Sequence, residues 1–259
     1  MGAARVTTEA ALLDEIFAAR KDGRPPGSIA PTGAARDDGL AFQLAILARF
    51  EAEGRGLGGW KAGLSSGRSR DALGQGFRPF GYVLADRILP SGARIEAAAI
   101  HDCRIEPELC VILAKPLRGD AVTEVQAHDA IGAIAPAFEI NEVRVGMQAD
   151  PALFLADGLA NWGIVIGEAR PRPATPGGYG TRVTLRRDGA VVAESPPDLP
   201  TDGPCLALAR MCSLLARFGR GLEPGQRVIT GAYCQDRVAG PARYRADFAG
   251  IGTIEAVFD

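Results

Sequence analysis

The texture of the chain changes near Trp60, and this change limits its architecture more than any other feature. Upstream, apolar residues recur at helical spacing. Leu12, Leu13, Ile16 and Phe17 follow Glu9, with Thr7 or Thr8 available as a cap, and Gly23 with Pro25-Pro26-Gly27 ends the run. A second helix is predicted over 38–53, with Leu40, Leu44, Leu47 and Phe50 inward, Gly54 as its stop, and 24–35 as the intervening loop. Downstream, the chain breaks into short apolar stretches between glycines. Strands are predicted over 104–113, 137–145, 162–166, 183–187, 190–194, 227–230, 243–248 and 252–258. Asp188-Gly189 joins two of them as a hairpin, because both residues tolerate positive φ. Helices are predicted over 123–135, capped by Thr123, and over 204–218, behind Asp202. Strands outnumber helices and only one β-α-β unit is visible. The expectation is an α+β chain with a mixed sheet, not a doubly wound fold. It divides into a helical N-terminal segment, 1–59, and a sheet domain, 60–259.

Composition removes several function classes. With 259 residues, 47% of them hydrophobic, the chain can bury a sizeable core. The 29 basic and 31 acidic residues are interspersed, so no basic block suits nucleic acid. No apolar run has the length of a membrane span, and the first residues lack the apolar stretch of a secretory signal. The five cysteines, 103, 110, 205, 212 and 234, form no Cys-x-x-Cys pair. That argues against structural zinc and a disulfide framework and fits a reducing cytoplasm. Only two histidines, His101 and His128, are available, which weakens zinc-hydrolase and serine-triad readings.

The chemistry concentrates in Arg104-Ile105-Glu106-Pro107-Glu108-Leu109. Residues i and i+2 of a strand share a face, so Glu106 and Glu108 stand side by side. Like charges at that distance are costly unless a cation neutralises them or one is protonated. Pro107 cannot donate to a ladder, so this strand is expected at an edge or locally irregular. Glu139 lies in the apolar run Pro136-Ala137-Phe138-Glu139-Ile140. Three converging carboxylates would suit Mg²⁺ or Mn²⁺. Spacing alone fits equally well a solvent-facing Glu106 and Glu108 with Glu139 paired to an arginine.

Lys61, one of three lysines, sits in Gly59-Trp60-Lys61-Ala62-Gly63-Leu64. Partly desolvated near a metal, its ammonium could have a lowered pKa and move protons. Spacing by itself favours a surface lysine. Gly56-Leu57-Gly58-Gly59 lacks the context of a phosphate loop and is read as a turn.

Together these strings carry a resemblance. Trp60-Lys61-Ala62-Gly63-Leu64, Phe80-Gly81 with Ala85-Asp86, the Glu106/Glu108 string and the Glu139 string are similar to the fumarylacetoacetate hydrolase superfamily. Within it, the likeness is to the 2-keto-4-pentenoate hydratase and 4-oxalocrotonate decarboxylase branch. It continues through Phe42-Gln43, Ala156-Asp157, Val165-Ile166-Gly167, Ile229-Thr230-Gly231-Ala232 and Gly250-Ile251-Gly252-Thr253. The resemblance implies a mixed β-roll core of that family's C-terminal type behind the helical segment. It implies Mg²⁺ or Mn²⁺ on Glu106, Glu108 and Glu139, and Lys61 as the proton-transfer residue. It implies a small 2-oxo acid substrate met by Phe80, Gly81, Asp157, Asn161 and Thr230. The expected reaction is hydration of a 2-hydroxydienoate; decarboxylation or C–C hydrolysis of an acylpyruvate is the alternative, and a non-catalytic subunit the reading from another class. The family habit also implies a homo-oligomer.

The chain departs from the branch in three places. Pro79 stands where an acidic residue is usual, 157–162 lacks the usual small hydroxyls, and 199–204 lacks the usual His-Pro-Leu. A bulkier, less acidic pocket should favour a substrate with a neutral distal end. Arg68, Arg70 and Arg78 could reverse this by clamping a second carboxylate, or could be solvated surface residues.

Overall fold

Thr8 starts the first helix, α1 (Glu9–Asp22), by accepting a hydrogen bond from the Ala11 N–H at 3.3 Å, and Gly23 ends it at φ 63°. The second, α2 (Arg36–Ala52), begins two residues earlier than the pattern suggested. The computed structural model describes residues 8–27, 35–195 and 202–259. Thr7, most of the loop between the helices and residues 199–201 therefore lie outside the described residues.

The remaining elements follow in order: β1 (Leu57–Ala62), β2 (Phe80–Leu84), β3 (Ile88–Pro90), β4 (Ala93–Ile95), β5 (Cys103–Leu113), α3 (Glu124–Ala130) and β6 (Ile131–Glu142). After these come α4 (Pro151–Ala156), β7 (Asn161–Ile166), β8 (Arg170–Pro171), β9 (Val183–Arg187), β10 (Ala190–Ser195) and α5 (Pro204–Ala216). The chain ends with β11 (Arg227–Ala232), β12 (Asp236–Arg237), β13 (Ala242–Phe248) and β14 (Gly252–Phe258). The hairpin at Asp188-Gly189 forms as expected, with φ of 51° and 85°.

Two mixed sheets result. The larger runs β2-β1-β11-β5-β6-β7-β3, with β12 beside β5 and β8 beside β6; the smaller runs β10-β9-β13-β14-β4. The larger sheet curls so that β2 approaches β7. Val83, Cys110, Ala137, Ile164 and Ile229, one from each of five strands, fill the inside of this roll. Gly59 shows how tight the curl is: a Cβ there would lie 1.9 Å from the Arg227 carbonyl oxygen. The outer face, with Ile105, Phe138, Ile140 and Val165, packs on Tyr244, Ala246 and Phe258 of the smaller sheet. The helices share a second core with β1 and β2, where Phe50, Trp60 and Tyr82 are buried. No helix among the described residues is long and apolar enough to cross a membrane.

Several expectations need correction. Residues 57–59 are strand, not turn, because Gly58 and Gly59 let neighbouring backbone approach closely. The helix predicted over 123–135 stops at Ala130: residues 131–135 pair with 110–113 of β5, and that ladder overrides helical spacing. β5 is interior, lying between β11 and β6. Pro107 is tolerated there because its carbonyl accepts from the Tyr233 N–H at 3.0 Å, so its missing donor faces the stretch where β11 gives way to β12. The irregular-strand alternative therefore describes the site, and the edge alternative does not. Gly203, at φ 70°, rather than Asp202, caps α5.

Candidate active site

Strand alternation continues the inward face of the roll from its apolar filling to its polar mouth. Glu106 and Glu108 precede Cys110 on that face, and Glu139 follows Ala137. In register Glu106 faces Glu139 and Glu108 faces Ala137, while Lys61 pairs with both Ile229 and Gly81. The mouth opens into a cavity of about 710 Å³ lined by all four of these charged residues.

One carboxylate oxygen from each glutamate lies within 4.8 Å of those of the other two. Glu139 is fully buried, and Glu108 nearly so. The Gly231 N–H donates to Glu108 Oε2 at 2.6 Å, Asn161 Nδ2 donates to Glu139 Oε1 at 2.7 Å, and Gln235 donates to Glu106. Glu139 Oε2 is buried with no hydrogen-bond partner. Burial and the charge of Glu139 push the Glu106 carboxyl up to about 7, and burial with the charges of Glu139 and Glu106 pushes Glu108 well above the carboxylate range. Three oxygen donors, an orphaned carboxylate oxygen and mutual repulsion fit a divalent cation such as Mg²⁺ or Mn²⁺.

Lys61 is buried, with Nζ 2.7 Å from Glu139 Oε1, 3.0 Å from the Leu159 carbonyl and 3.5 Å from Asn141 Oδ1. Burial alone would push its ammonium down. The charges of Glu139, Glu106 and Glu108 outweigh that and raise it, opposite to the sequence expectation. Gly81 makes room for this side chain, since a Cβ there would lie 2.6 Å from Lys61 Cγ. Gly158, Leu159 and Ala160 take successive left-handed φ values of 73°, 55° and 60°. Such a run is strained for the two non-glycine residues, and it turns the Leu159 carbonyl onto Lys61.

The five expected substrate contacts sit elsewhere than expected; none lines the cavity. Phe80 stacks edge-on against Trp60 and Phe218 in the apolar core. Gly81 lies behind Lys61. Asp157 is buried and held by Arg144 at 3.0 Å, with Arg20 close by. Asn161 is occupied by Glu139, and Thr230 Oγ1 donates to the Leu109 carbonyl at 2.9 Å. Gly81 and Asn161 support the cavity residues Lys61 and Glu139, and the other three are engaged within the fold. Arg70 and Arg78 face Asp202, outside the cavity, and Arg78 is only 5% exposed, so it is neither a clamp nor a solvated residue. The Arg68 side chain lies outside the described part. His128 is buried against Tyr179, away from the cavity, and all five cysteines are free.

Sequence reasoning missed Asn141, Gln235, the Leu159 carbonyl and the wall formed by residues 143–147. The wall had a signal: Val143, Val145 and Met147 alternate with Arg144 and Gly146.

No family model matches the sequence. The chain is 29% identical over 237 residues to 2-oxo-hept-4-ene-1,7-dioate hydratase of Escherichia coli, covering 86% of each chain. It is 29% identical over 191 residues to 4-oxalocrotonate decarboxylase of a Pseudomonas species, covering 73% of each. Among solved structures, 4-oxalocrotonate decarboxylase from Pseudomonas putida G7 superposes with a TM-score of 0.89 at 22% identity over 97% of each chain. The chain thus shares the fold of these solved structures, with three carboxylates at the mouth of its roll. Its sequence is similar to 2-keto-4-pentenoate hydratases and to 4-oxalocrotonate decarboxylase, as fits a divergent member of that branch.

Proposed function

We propose that the chain is a divalent-metal-dependent hydro-lyase that adds water to a 2-hydroxydienoate or 2-oxo-enoate. The observation that carries this reading is the convergence of Glu106, Glu108 and Glu139 beside buried Lys61 in one cavity. Support comes from relatives named as hydratases and from the solved decarboxylase, which is complexed with magnesium. Glu106, Glu108 and Glu139 would hold the cation, which when bound withdraws electrons from the 2-oxo group of a chelating 2-oxo acid.

The chain's own residues do the rest. Lys61 Nζ holds the proton that moves during enol–keto conversion; Glu139 and the Leu159 carbonyl fix its position. Gly231 and Gln235 orient Glu108 and Glu106 through hydrogen bonds. Asn161 fixes the Glu139 carboxylate from behind. No histidine lines the cavity, so the His-assisted water activation of a C–C hydrolase has no counterpart here.

Further parts of the reading are that 60–259 carries the catalysis behind an N-terminal segment, 1–59, and that the enzyme works as a cytoplasmic homo-oligomer on a small-molecule substrate. The five free thiols agree with a reducing compartment. Purified protein with Mg²⁺ and a panel of 2-hydroxydienoates should consume dienol absorbance and yield the 4-hydroxy-2-oxo acid. A chelator should stop it. Release of CO₂ from a carboxylated substrate instead, without hydration, would assign the decarboxylase reaction. Inactivity across the panel, with metal bound, would refute the reading.

A further inference from the structure

The turn between α4 and β7 carries two of the contacts that fix Lys61 and Glu139. The Leu159 carbonyl accepts from Lys61 Nζ at 3.0 Å, and the Asn161 side chain donates to Glu139 Oε1 at 2.7 Å. Residues 158–160 reach this arrangement by taking left-handed φ values in succession. That conformation is unfavourable at Leu159 and Ala160, because each has a Cβ. The turn closes on itself through the Leu159 N–H to the Phe154 carbonyl and the Asn161 N–H to the Gly158 carbonyl, both at 3.1 Å. The Glu142 N–H ties its Ala160 carbonyl to β6 at 2.7 Å.

A further hold comes from α1. Arg20, in the last turn of that helix, is buried, its side chain 7% exposed. One terminal nitrogen donates to the Asp157 carbonyl and the other to the Asn161 carbonyl at 3.1 Å. These two residues flank the left-handed run, so one rigid guanidinium bridges both ends of the turn. The fit is close: a Cβ on Gly158 would lie 2.8 Å from Arg20 Nη1. The guanidinium is itself held in place. It lies 5.0 Å from the centroid of the Tyr82 ring and 3.7 Å from the Asp157 carboxylate, which Arg144 also holds at 3.0 Å. Every described residue lining the cavity falls between 61 and 235, so Arg20 acts on the site without touching it.

Taking Lys61 as the proton-transfer residue of the reading above, we propose that Arg20 is a positioning residue for the reaction. Clamped on 157 and 161, it keeps the Leu159 carbonyl against Lys61 and the Asn161 amide against Glu139. The N-terminal segment thereby contributes to catalysis through one side chain of α1.

The test compares Arg20→Lys and Arg20→Met with the parent. Lysine keeps the positive charge beside Asp157, but its single nitrogen cannot reproduce the planar fork. Methionine keeps an apolar stem and no donor. Arg20→Lys should melt close to the parent while its kcat falls about 10-fold to 100-fold, with KM and Mg²⁺ affinity each changed by less than about threefold. Arg20→Met should lose at least as much kcat. Hydrogen exchange, which needs no substrate, should speed up at least about tenfold over 158–161 in both variants and stay as in the parent over β13 and β14. Parental kcat in Arg20→Lys would mean that charge alone suffices and overturns the proposal. Unchanged exchange over 158–161 overturns it as well. So does faster exchange throughout the chain with a matching fall in melting temperature, which would mark Arg20 as a residue of general stability. A parent that turns over no dienoate would instead refute the hydro-lyase reading, and the exchange measurement would still decide whether Arg20 clamps the turn.

Discussion

Two buried charge clusters of this molecule have opposite composition. At the mouth of the roll, three carboxylates meet one lysine. Beside α5, one fully buried carboxylate, Asp202, meets Arg70, Arg78 and Arg210. Burial alone would raise the Asp202 carboxyl. Hydrogen bonds from Arg78 and Arg70, with the charges of Arg78 and Arg210, outweigh burial and hold it below its ordinary range. At the mouth, the neighbours of Glu106 and Glu108 are themselves negative, so burial and repulsion act together and raise both. One cluster is satisfied by the protein alone. The other gathers mutually repelling carboxylates and leaves Glu139 Oε2 without a hydrogen-bond partner, which suits a divalent cation. The difference separates structural from functional burial of charge.

The largest expected effect lies in the carboxylate cluster. Glu108→Gln should lower turnover by more than about 10³, because the electron withdrawal of a bound cation is worth several kcal/mol. It should also raise the melting temperature of the metal-free protein, since it removes a repelling charge. A lower melting temperature would mean that the three carboxylates do not repel, and the comparison would fail. Next, Lys61→Met should lower kcat by roughly 10²–10⁴ while Mg²⁺ binding, read by calorimetry, persists. An unchanged rate would remove Lys61 from proton transfer.

Asp202→Asn is the counterpart substitution with the opposite sign. Leaving three guanidinium groups without their carboxylate should cost about 3–5 kcal/mol of stability. That corresponds to a fall in melting temperature of roughly 6–20 °C for a chain of this size. Its pH dependence follows from the lowered carboxyl. The stabilisation should be full above the unfolded value of about 3.9 and be lost as pH falls through the lower folded value. Denaturation curves of the parent and Asp202→Asn should therefore converge in acid; parallel curves down to the lowest pH would contradict the pairing. The smallest effect is that of the cation itself. Mg²⁺ or Mn²⁺ at a hundred times its Kd should stabilise the parent by about 2.7 kcal/mol, and leave Glu108→Gln nearly unmoved at the same concentration.

Much of this was legible locally. Thr8 and Gly23 announced α1, Asp188-Gly189 announced its hairpin, and the alternation of Glu106 and Glu108 announced a shared face. What misled were stretches where a distant partner overrides local pattern. Residues 131–135 read as helix until β5 pairs with them, and Gly58-Gly59 read as a turn until β11 and the stretch after β2 close on them. The expected substrate contacts do not line the cavity for a related reason. Asp157, Asn161 and Thr230 are polar residues near the site in sequence, but each is already bound by a buried partner.

The sequence by itself determined which residues share a face, because strand and helix periods are properties of the backbone at each residue. It thus specified the Glu-x-Glu pair, the apolar alternation at 143, 145 and 147, and the caps. Only the tertiary structure decided what those faces meet. The β5–β6 register sets Glu106 opposite Glu139, and the β1–β2 and β1–β11 pairings point Lys61 into the same mouth. Three arginines turn to Asp202 instead of the cavity. Register and closure are set by the burial of whole sheets against one another, an energy summed over many distant residues, and no short window of sequence contains that sum.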